Sequence, residues 1–347
     1  MSEDRKPRIL IIGAGSMGVL TGYHLSLAGA DVTFLIRPHR AKALDNPQML
    51  YCYDDNNLKE YKSYSYITNP LLILGSDYDY IVITLDGASL RNEAGVGLVR
   101  TIGDAARGTN TKVVLGSIFF DLHAWFLQLS GLADEQVTNG HLDIHAYSTK
   151  ALTLPLEAPV DPNLIAKADF AYTDKLGDGF TVDDSSPAVA NGFAEIYNAS
   201  GVSRCTVKPA LECAVAINPL FPVFAACELM DWPKFKDIDG EELWSLVVAS
   251  VREIQELDIH GELGKQAART MTEAGLAASL AAWEKHMIPL DLQAFNRFHH
   301  GEKLKAQGRE HLQVCISYGA AEGKPMAALK DLLRRVQEHE VEVAAAQ

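Results

Sequence analysis

A glycine-rich turn placed directly behind an apolar run constrains this chain more than any other stretch. Residues 8–12 read Arg-Ile-Leu-Ile-Ile and run into Gly13-Ala14-Gly15-Ser16-Met17-Gly18. A continuous apolar run fits a strand covered on both faces. Gly13, Gly15 and Gly18 fit G-x-G-x-x-G. In that spacing the first glycine makes the tight turn, the second lets a pyrophosphate reach the backbone, and the third lets the next helix pack closely on the strand. Ordinary strand–turn–helix joints also carry packing glycines, so the flanks decide. Val19 to Ala28 mixes Leu20, His24, Leu25 and Leu27 with small residues, as a helix lying on a sheet does. Gly29 is placed to end that helix, and Asp31 to Ile36 reads as a second strand. The unit is that of a dinucleotide site, with Ala14, Ser16 and Met17 in the phosphate-binding turn beside the glycines. The unpaired N–H groups and the dipole of the first helical turn favour a bound phosphate.

The residue after the second strand selects the nucleotide. An acid there binds the ribose 2′-hydroxyl of NAD, whereas an arginine accommodates the 2′-phosphate of NADP. The chain has Arg37, followed by Pro38, His39 and Arg40. Arg37 and Arg40 therefore predict NADP(H), through charge-assisted hydrogen bonds to a phosphate. A solvated basic cluster at a strand end is the plainer alternative. Two further buried strands are legible at residues 79–85 and 111–115. Ligand sites in open parallel sheets lie beyond the strands' carboxyl ends, which puts Leu85, Asp86 and Ser117 on the cofactor rim.

The other features bound the class. The chain has 347 residues, enough for two domains, and a net charge of −14 that excludes non-specific nucleic-acid binding. Five scattered cysteines without a C-x-x-C pair predict reduced thiols and a cytoplasmic setting, and no signal peptide or membrane span is legible. The strand–helix alternation gives way near residue 205 to helix candidates at 210–229, 240–258, 264–286, 290–307 and 324–341. The expected architecture is an α/β Rossmann domain over residues 1–205 and an all-α substrate domain over 206–347, with the cleft between them as the default site.

Several polar residues in the helical half could do chemistry. Asn218-Pro219 interrupts an apolar helical run, so Asn218 either satisfies the kink or faces a ligand. Asp291, Phe295, Phe298 and His299 share helical spacing, as do Asn296, His300 and Lys303. They could line a cleft and supply acid–base groups. One packed and one solvated histidine is the plainer reading of the His299–His300 pair. Adjacent residues on a helix diverge by roughly 100°, and no ligand spacing follows, so no metal site is expected. Hydrolase and P-loop motifs are absent, which favours redox chemistry carried by a nucleotide.

Taken together, Gly13 to Gly18, Arg37, Ile217-Asn218-Pro219-Leu220 and the Ser279 to Asn296 region resemble the ketopantoate reductase (2-dehydropantoate 2-reductase) family over nearly the whole chain. The resemblance implies a Rossmann domain followed by an all-α domain of the 6-phosphogluconate-dehydrogenase type. It also implies NADPH as cofactor and hydride transfer to the carbonyl of a small 2-oxo acid or related substrate. Asn218 and Ser279 fall on substrate-site positions, Asp291 on that of a glutamate serving the substrate, and Asn296 on the asparagine of the following helix. The family's catalytic lysine falls on Ala210 and a neighbouring asparagine on Ala214; Asp86 stands for a rim lysine and Ser117 for a rim asparagine. Glu212, His299, His300 and Lys303 are then the residues whose helical positions could replace the missing acid. The implied partner is a small molecule, with no nucleic acid or membrane and with a homodimer left open. A non-catalytic NADP(H)-binding sensor or scaffold is the alternative, prompted by the missing lysine.

Overall fold

The structure, a computed structural model, describes residues 5–238 and 242–346. It divides into two compact units, Met1–Thr153 with Glu157–Ala210, and Leu154–Leu156 with Leu211–Gln347.

Among its described residues the first unit contains twelve strands. They are β1 (Arg8–Ile12), β2 (Asp31–Leu35), β3 (Gln48–Cys52), β4 (Asn57–Tyr61), β5 (Ser65–Ile67), β6 (Tyr80–Ile83), β7 (Lys112–Leu115), β8 (Val137–Leu142), β9 (His145–Ser148), β10 (Phe170–Thr173), β11 (Phe180–Asp183) and β12 (Cys205–Lys208). Its helices are α1 (Ser16–Leu27), α2 (Ala41–Leu44), α3 (Gly87–Arg91), α4 (Glu93–Ala106), α5 (Leu122–Ser130), α6 (Pro162–Ile165) and α7 (Pro187–Asn198). The main sheet has the order β12-β11-β8-β7-β6-β1-β2-β5. The strands from β5 to β8 run parallel; β11 is antiparallel to β8, and β12 parallel to β11. Every residue of β6 is buried, as expected of a strand with both faces covered. The chain winds outward from β1 through β2 to β5, then returns to β6 on the other side of β1. That reversal is the switch point at which open α/β sheets bind ligands. The boundary expected after residue 205 falls inside β12, which pairs with β11 and belongs to the sheet.

The tyrosine-rich stretch 51–66 forms more than a hairpin. Strands β3 and β4 join β10 and β9 in a separate sheet, β4-β3-β10-β9. Tyr61 and Tyr172 from that sheet share one core cluster with Tyr23 of α1 and with Phe34 of β2. Helix α1 is thus buried on two sides. Its His24 is 1% exposed, with Nδ1 3.1 Å from the Tyr197 hydroxyl.

Apart from the segment Leu154–Leu156, the described elements of the second unit are helices: α8 (Ala210–Ile217, whose first residue closes the first unit), α9 (Phe221–Leu229), α10 (Glu242–Gln255), α11 (Gly261–Thr270), α12 (Glu273–Met287), α13 (Leu292–Phe298), α14 (Lys305–Ala321) and α15 (Ala327–Ala346), with turns between them. Three of the expected helices are interrupted, each for a local reason. The 210–229 run breaks into α8 and α9 at a 3₁₀ turn, Asn218–Leu220, because Pro219 lacks an N–H. That run is long and apolar enough to cross a membrane by length and composition, and its Phe221–Cys227 portion is buried within the unit. The 264–286 stretch splits where the Thr272 side chain caps α12, accepting from Gly275 N at 3.0 Å. The 290–307 stretch is interrupted by a π turn, His299–Lys303. The start expected at Gly240 lies outside the described residues. On α15, Leu329, Leu332, Leu333 and Val336 form the buried stripe that their spacing predicts.

Candidate functional site

At the carboxyl rim of the main sheet, three hydrogen bonds hold the turn segments together. Gly13 N donates to Leu35 O (3.0 Å), Thr84 N to Ile12 O (3.1 Å) and Gly116 N to Ile83 O (2.8 Å). The three glycines have the separate surroundings that the motif requires. Gly13 sits at φ +104°, a conformation open to glycine, and a Cβ there would stand 3.1 Å from Thr84 Oγ1. A Cβ on Gly18 would overlap the Gly13 carbonyl oxygen and stand 2.8 Å from Thr84 Oγ1. A Cβ on Gly15 would meet nothing within 4 Å. Gly15 is also the N-cap of α1, and no side chain caps that helix. Uncapped amides beneath open space form a cradle for an anion, so these residues fit a dinucleotide pyrophosphate. Ser16 is buried, while Ala14 and Met17 are half-buried; the Met17 methyl also fills the place that a Cβ on Gly116 would take.

Arg37 follows Ile36 beyond β2 and begins the short turn Pro38–Arg40. Arg37 and Arg40 are both exposed. Neither is paired with a carboxylate among the described residues, so both guanidinium groups are available to a phosphate on the adenine side of the switch point.

Asp86 and Ser117, both expected to face a cofactor, are committed internally. Asp86 caps α3, accepting from Ser89 N at 2.8 Å and from the Ser89 hydroxyl at 2.6 Å. The Ser117 hydroxyl donates to the main-chain oxygen of Leu85, the third residue of this rim. A short side chain in each place bonds to its own neighbourhood, where a longer one could have reached outward. A rim cation that the sequence did not single out is Arg91, the last residue of α3. Its guanidinium stacks 4.0 Å from the Phe119 ring centroid and donates to Phe120 O at 3.3 Å, so it holds the loop that follows β7.

In the second unit, the candidate residues fall into three groups. Asn218 is half-buried, with Nδ2 3.0 Å from His260 Nε2. Burial pushes the neighbouring His311 down to about 3, with the Asn218 main chain opposing the shift. Asp291 caps α13 through Ala294 N (3.0 Å) and pairs with Lys234 at 3.1 Å. Glu284 stands 3.6 Å from the same lysine and accepts from Phe235 N at 3.0 Å. Burial raises the Glu284 carboxyl above its ordinary range, while that N–H and Lys234 oppose the rise. The third group is the π turn: His300 stacks on Phe224 at 3.6 Å and His299 on Phe295 at 5.3 Å. Both rings are half-buried, where one packed and one solvated ring were expected, because the turn shifts the helical spacing from residue 299 onward.

Ser279 is exposed on α12, and Lys303 and Glu212 are also exposed. Asn296 lies in the interior, 1% exposed, with Nδ2 3.3 Å from Gln293 Oε1, and so lines no cleft. No hydrogen bond or ion pair among the described residues joins Asn218 to Ser279 or Asp291. Among those residues, no group of three His, Cys, Asp or Glu side chains is arranged to hold a metal ion. Lys234, Glu284 and His260 escaped the sequence reading, since their partners lie 57, 49 and 42 positions away. The one local sign near Lys234 is Asp231-Trp232-Pro233, where Asp231 and Trp232 take positive φ values of 57° and 58°.

Asp291→Ala is expected to destabilise the protein by about 1 kcal/mol, the usual worth of a lost N-cap. The ion pair adds little, because Lys234 is 45% exposed. Asp291→Asn keeps an acceptor and should stay within about 0.5 kcal/mol of the parent in urea unfolding.

A family model described as ketopantoate reductase PanE/ApbA matches residues 9–93. Comparison with curated proteins by sequence finds no match. Among solved structures, the 2-dehydropantoate 2-reductase from Geobacter metallireducens GS-15 is 16% identical, with a TM-score of 0.66 over 96% of this chain and 99% of that one. The 2-dehydropantoate 2-reductase from Methylococcus capsulatus is 14% identical, with a TM-score of 0.69 over 96% and 97%. A D-mandelate dehydrogenase solved with NADH and anilino(oxo)acetate is 13% identical, with a TM-score of 0.66 over 97% and 99%. The family match thus covers the glycine-rich unit, and over nearly its whole length the chain shares the fold of the 2-dehydropantoate 2-reductase structures.

Proposed function

We propose that the protein is an NADPH-dependent reductase that acts on the carbonyl of a small 2-oxo acid or related substrate. The observation that carries this reading is the open, uncapped cradle over Gly15 at the switch point, with Arg37 at the end of β2. The family match and the structural neighbours named for 2-oxo and 2-hydroxy acids support it. When bound, NADPH supplies the hydride. The chain's own residues hold and orient: the amides of α1 take the pyrophosphate, Arg37 and Arg40 take the 2′-phosphate, and Asn218 and Ser279 orient the substrate. Lys234, an ammonium held by Asp291, is the group with a proton to give, in place of the lysine absent at Ala210.

The purified protein is expected to bind NADPH ahead of NADH and to consume NADPH with at least one member of a panel of 2-oxo acids. Tight NADPH binding without turnover on any member would instead support the sensor or scaffold reading, which Ala210 favours. Arg37→Ala should weaken NADPH about 30-fold, roughly 2 kcal/mol for lost charge-assisted hydrogen bonds, and leave NADH unchanged. Calorimetric titration with both nucleotides measures this directly.

A further inference from the structure

Asn218 opens the turn that separates α8 from α9, and His260 holds its amide from inside the second unit. His260 is fully buried. Its Nδ1 lies 2.7 Å from the Ile254 carbonyl oxygen and its Nε2 lies 3.0 Å from Asn218 Nδ2. A carbonyl oxygen only accepts, so Nδ1 carries a proton. Burial disfavours the charged ring, so Nε2 carries none and is an acceptor. An acceptor at Nε2 selects the NH₂ end of the amide, which turns Oδ1 the other way. Oδ1 hydrogen-bonds no other described residue, and it is not among the buried atoms left unpaired, so it is open to a ligand. His311 stacks on Phe221, 3.9 Å between ring centroids, and lies against the Asn218 main chain. The residue is therefore held at both its backbone and its amide.

We propose that His260 is a positioning residue that locks Asn218 with Oδ1 outward, so that Asn218 recognises a hydrogen-bond donor on the substrate, a hydroxyl or an N–H, and not a carbonyl oxygen. The lock itself is independent of the reductase reading; its use in substrate recognition rests on it. Of an oxo acid and its hydroxy counterpart, Asn218 grips the hydroxyl, or else a second hydroxyl elsewhere on the oxo substrate.

The lock is tested on the full chain with ¹⁵N-labelled histidine and asparagine. Nuclear magnetic resonance should show the His260 proton on Nδ1, with a through-hydrogen-bond ¹⁵N–¹⁵N coupling from Asn218 Nδ2 to His260 Nε2. A proton on Nε2 at neutral pH, in either the neutral or the charged ring, overturns the proposal, because it turns the NH₂ group outward instead. Recognition is tested by titrating NADP⁺-loaded protein with D-mandelate and lactate, each beside its O-methyl ether. The hydroxy acids should bind at least about tenfold more tightly than the ethers, the scale of one hydrogen bond to a well-placed acceptor. His260→Gln, which keeps an acceptor near the Nε2 position, should retain that preference, and His260→Leu should lose it. Equal binding of acid and ether by the parent overturns donor recognition. Binding of neither removes the substrate reading, while the spectrum still decides the lock.

Discussion

Gly18→Ala is expected to destabilise the first unit by about 3 kcal/mol or more, whereas Gly15→Ala is expected to leave the fold intact and to weaken NADPH binding. The two glycines lie three residues apart and differ in what surrounds them. A methyl on Gly18 would overlap the Gly13 carbonyl oxygen and press on Thr84, both fixed by the strand ends. Backbone cannot yield cheaply in a packed core, so overpacking here belongs with the severe mutational effects. Gly15 has φ −79° and ψ −173°, which any residue adopts, and open space beyond it. Alanine there should hold stability to within about 1 kcal/mol. Its methyl would occupy the space through which a pyrophosphate reaches the α1 amides, and NADPH should bind about 100-fold more weakly, close to 3 kcal/mol. Thermal unfolding and nucleotide titration of the two variants separate the roles. Equal nucleotide affinity in Gly15→Ala and the parent would remove the cradle as the binding site.

The second large effect concerns acid. Burial pushes His24 down to about 4, Lys59 adds to the shift, and the Leu20 carbonyl opposes it. The unfolded chain takes up this proton near its ordinary value of 6.5, the folded chain only near 4. Stability therefore falls as pH drops from 6.5 towards 4, and this group causes no further loss below that. The full loss is ~3 kcal/mol from the difference in proton affinity. His24→Gln removes the titrating ring. Urea unfolding at pH 7 and pH 4.5 should show a smaller loss in the variant than in the parent, by most of that ~3 kcal/mol. Identical losses would mean that the His24 ring is protonated in the folded protein.

The strand–turn–helix unit with its glycine-rich turn was legible because its determinants are local. Gly13 to Gly18 and Arg37 lie within one strand–helix–strand unit, and the conformation of each turn glycine follows from its own backbone position. The break at Asn218-Pro219 was legible for the same reason, since a missing N–H disrupts a helix whatever surrounds it. The four-stranded sheet was hidden because Leu50 pairs with Phe170, and no periodicity reports a partner 120 residues away. Asp86 looked like a rim acid, and only its bonds to Ser89 show it to be a helix cap. The helical spacing that carried Asp291, Phe295 and Phe298 on to His299, and Asn296 on to His300 and Lys303, does not hold past Phe298 because the π turn shifts the register there. His260 and Lys234 carry no signature of their own, and their importance comes from the residues they meet across the fold.

The interleaving of the two sheets also sets an order of assembly. The strands around the glycine turn, β1, β2 and β6, are complete once residue 83 is made. The parallel strand that joins β3, β10, ends at residue 173. During synthesis Tyr61 of β4 is already made to meet Tyr23 of α1, but His24 beside it must wait for Tyr172 and Tyr197, which follow roughly ninety or more residues later. Closing so long a loop is entropically costly and slow. The β1–β6 core with its glycine turn can thus take shape while part of the flank of its own helix is still bare, and that flank is where a nascent chain of this kind is most open to misassembly.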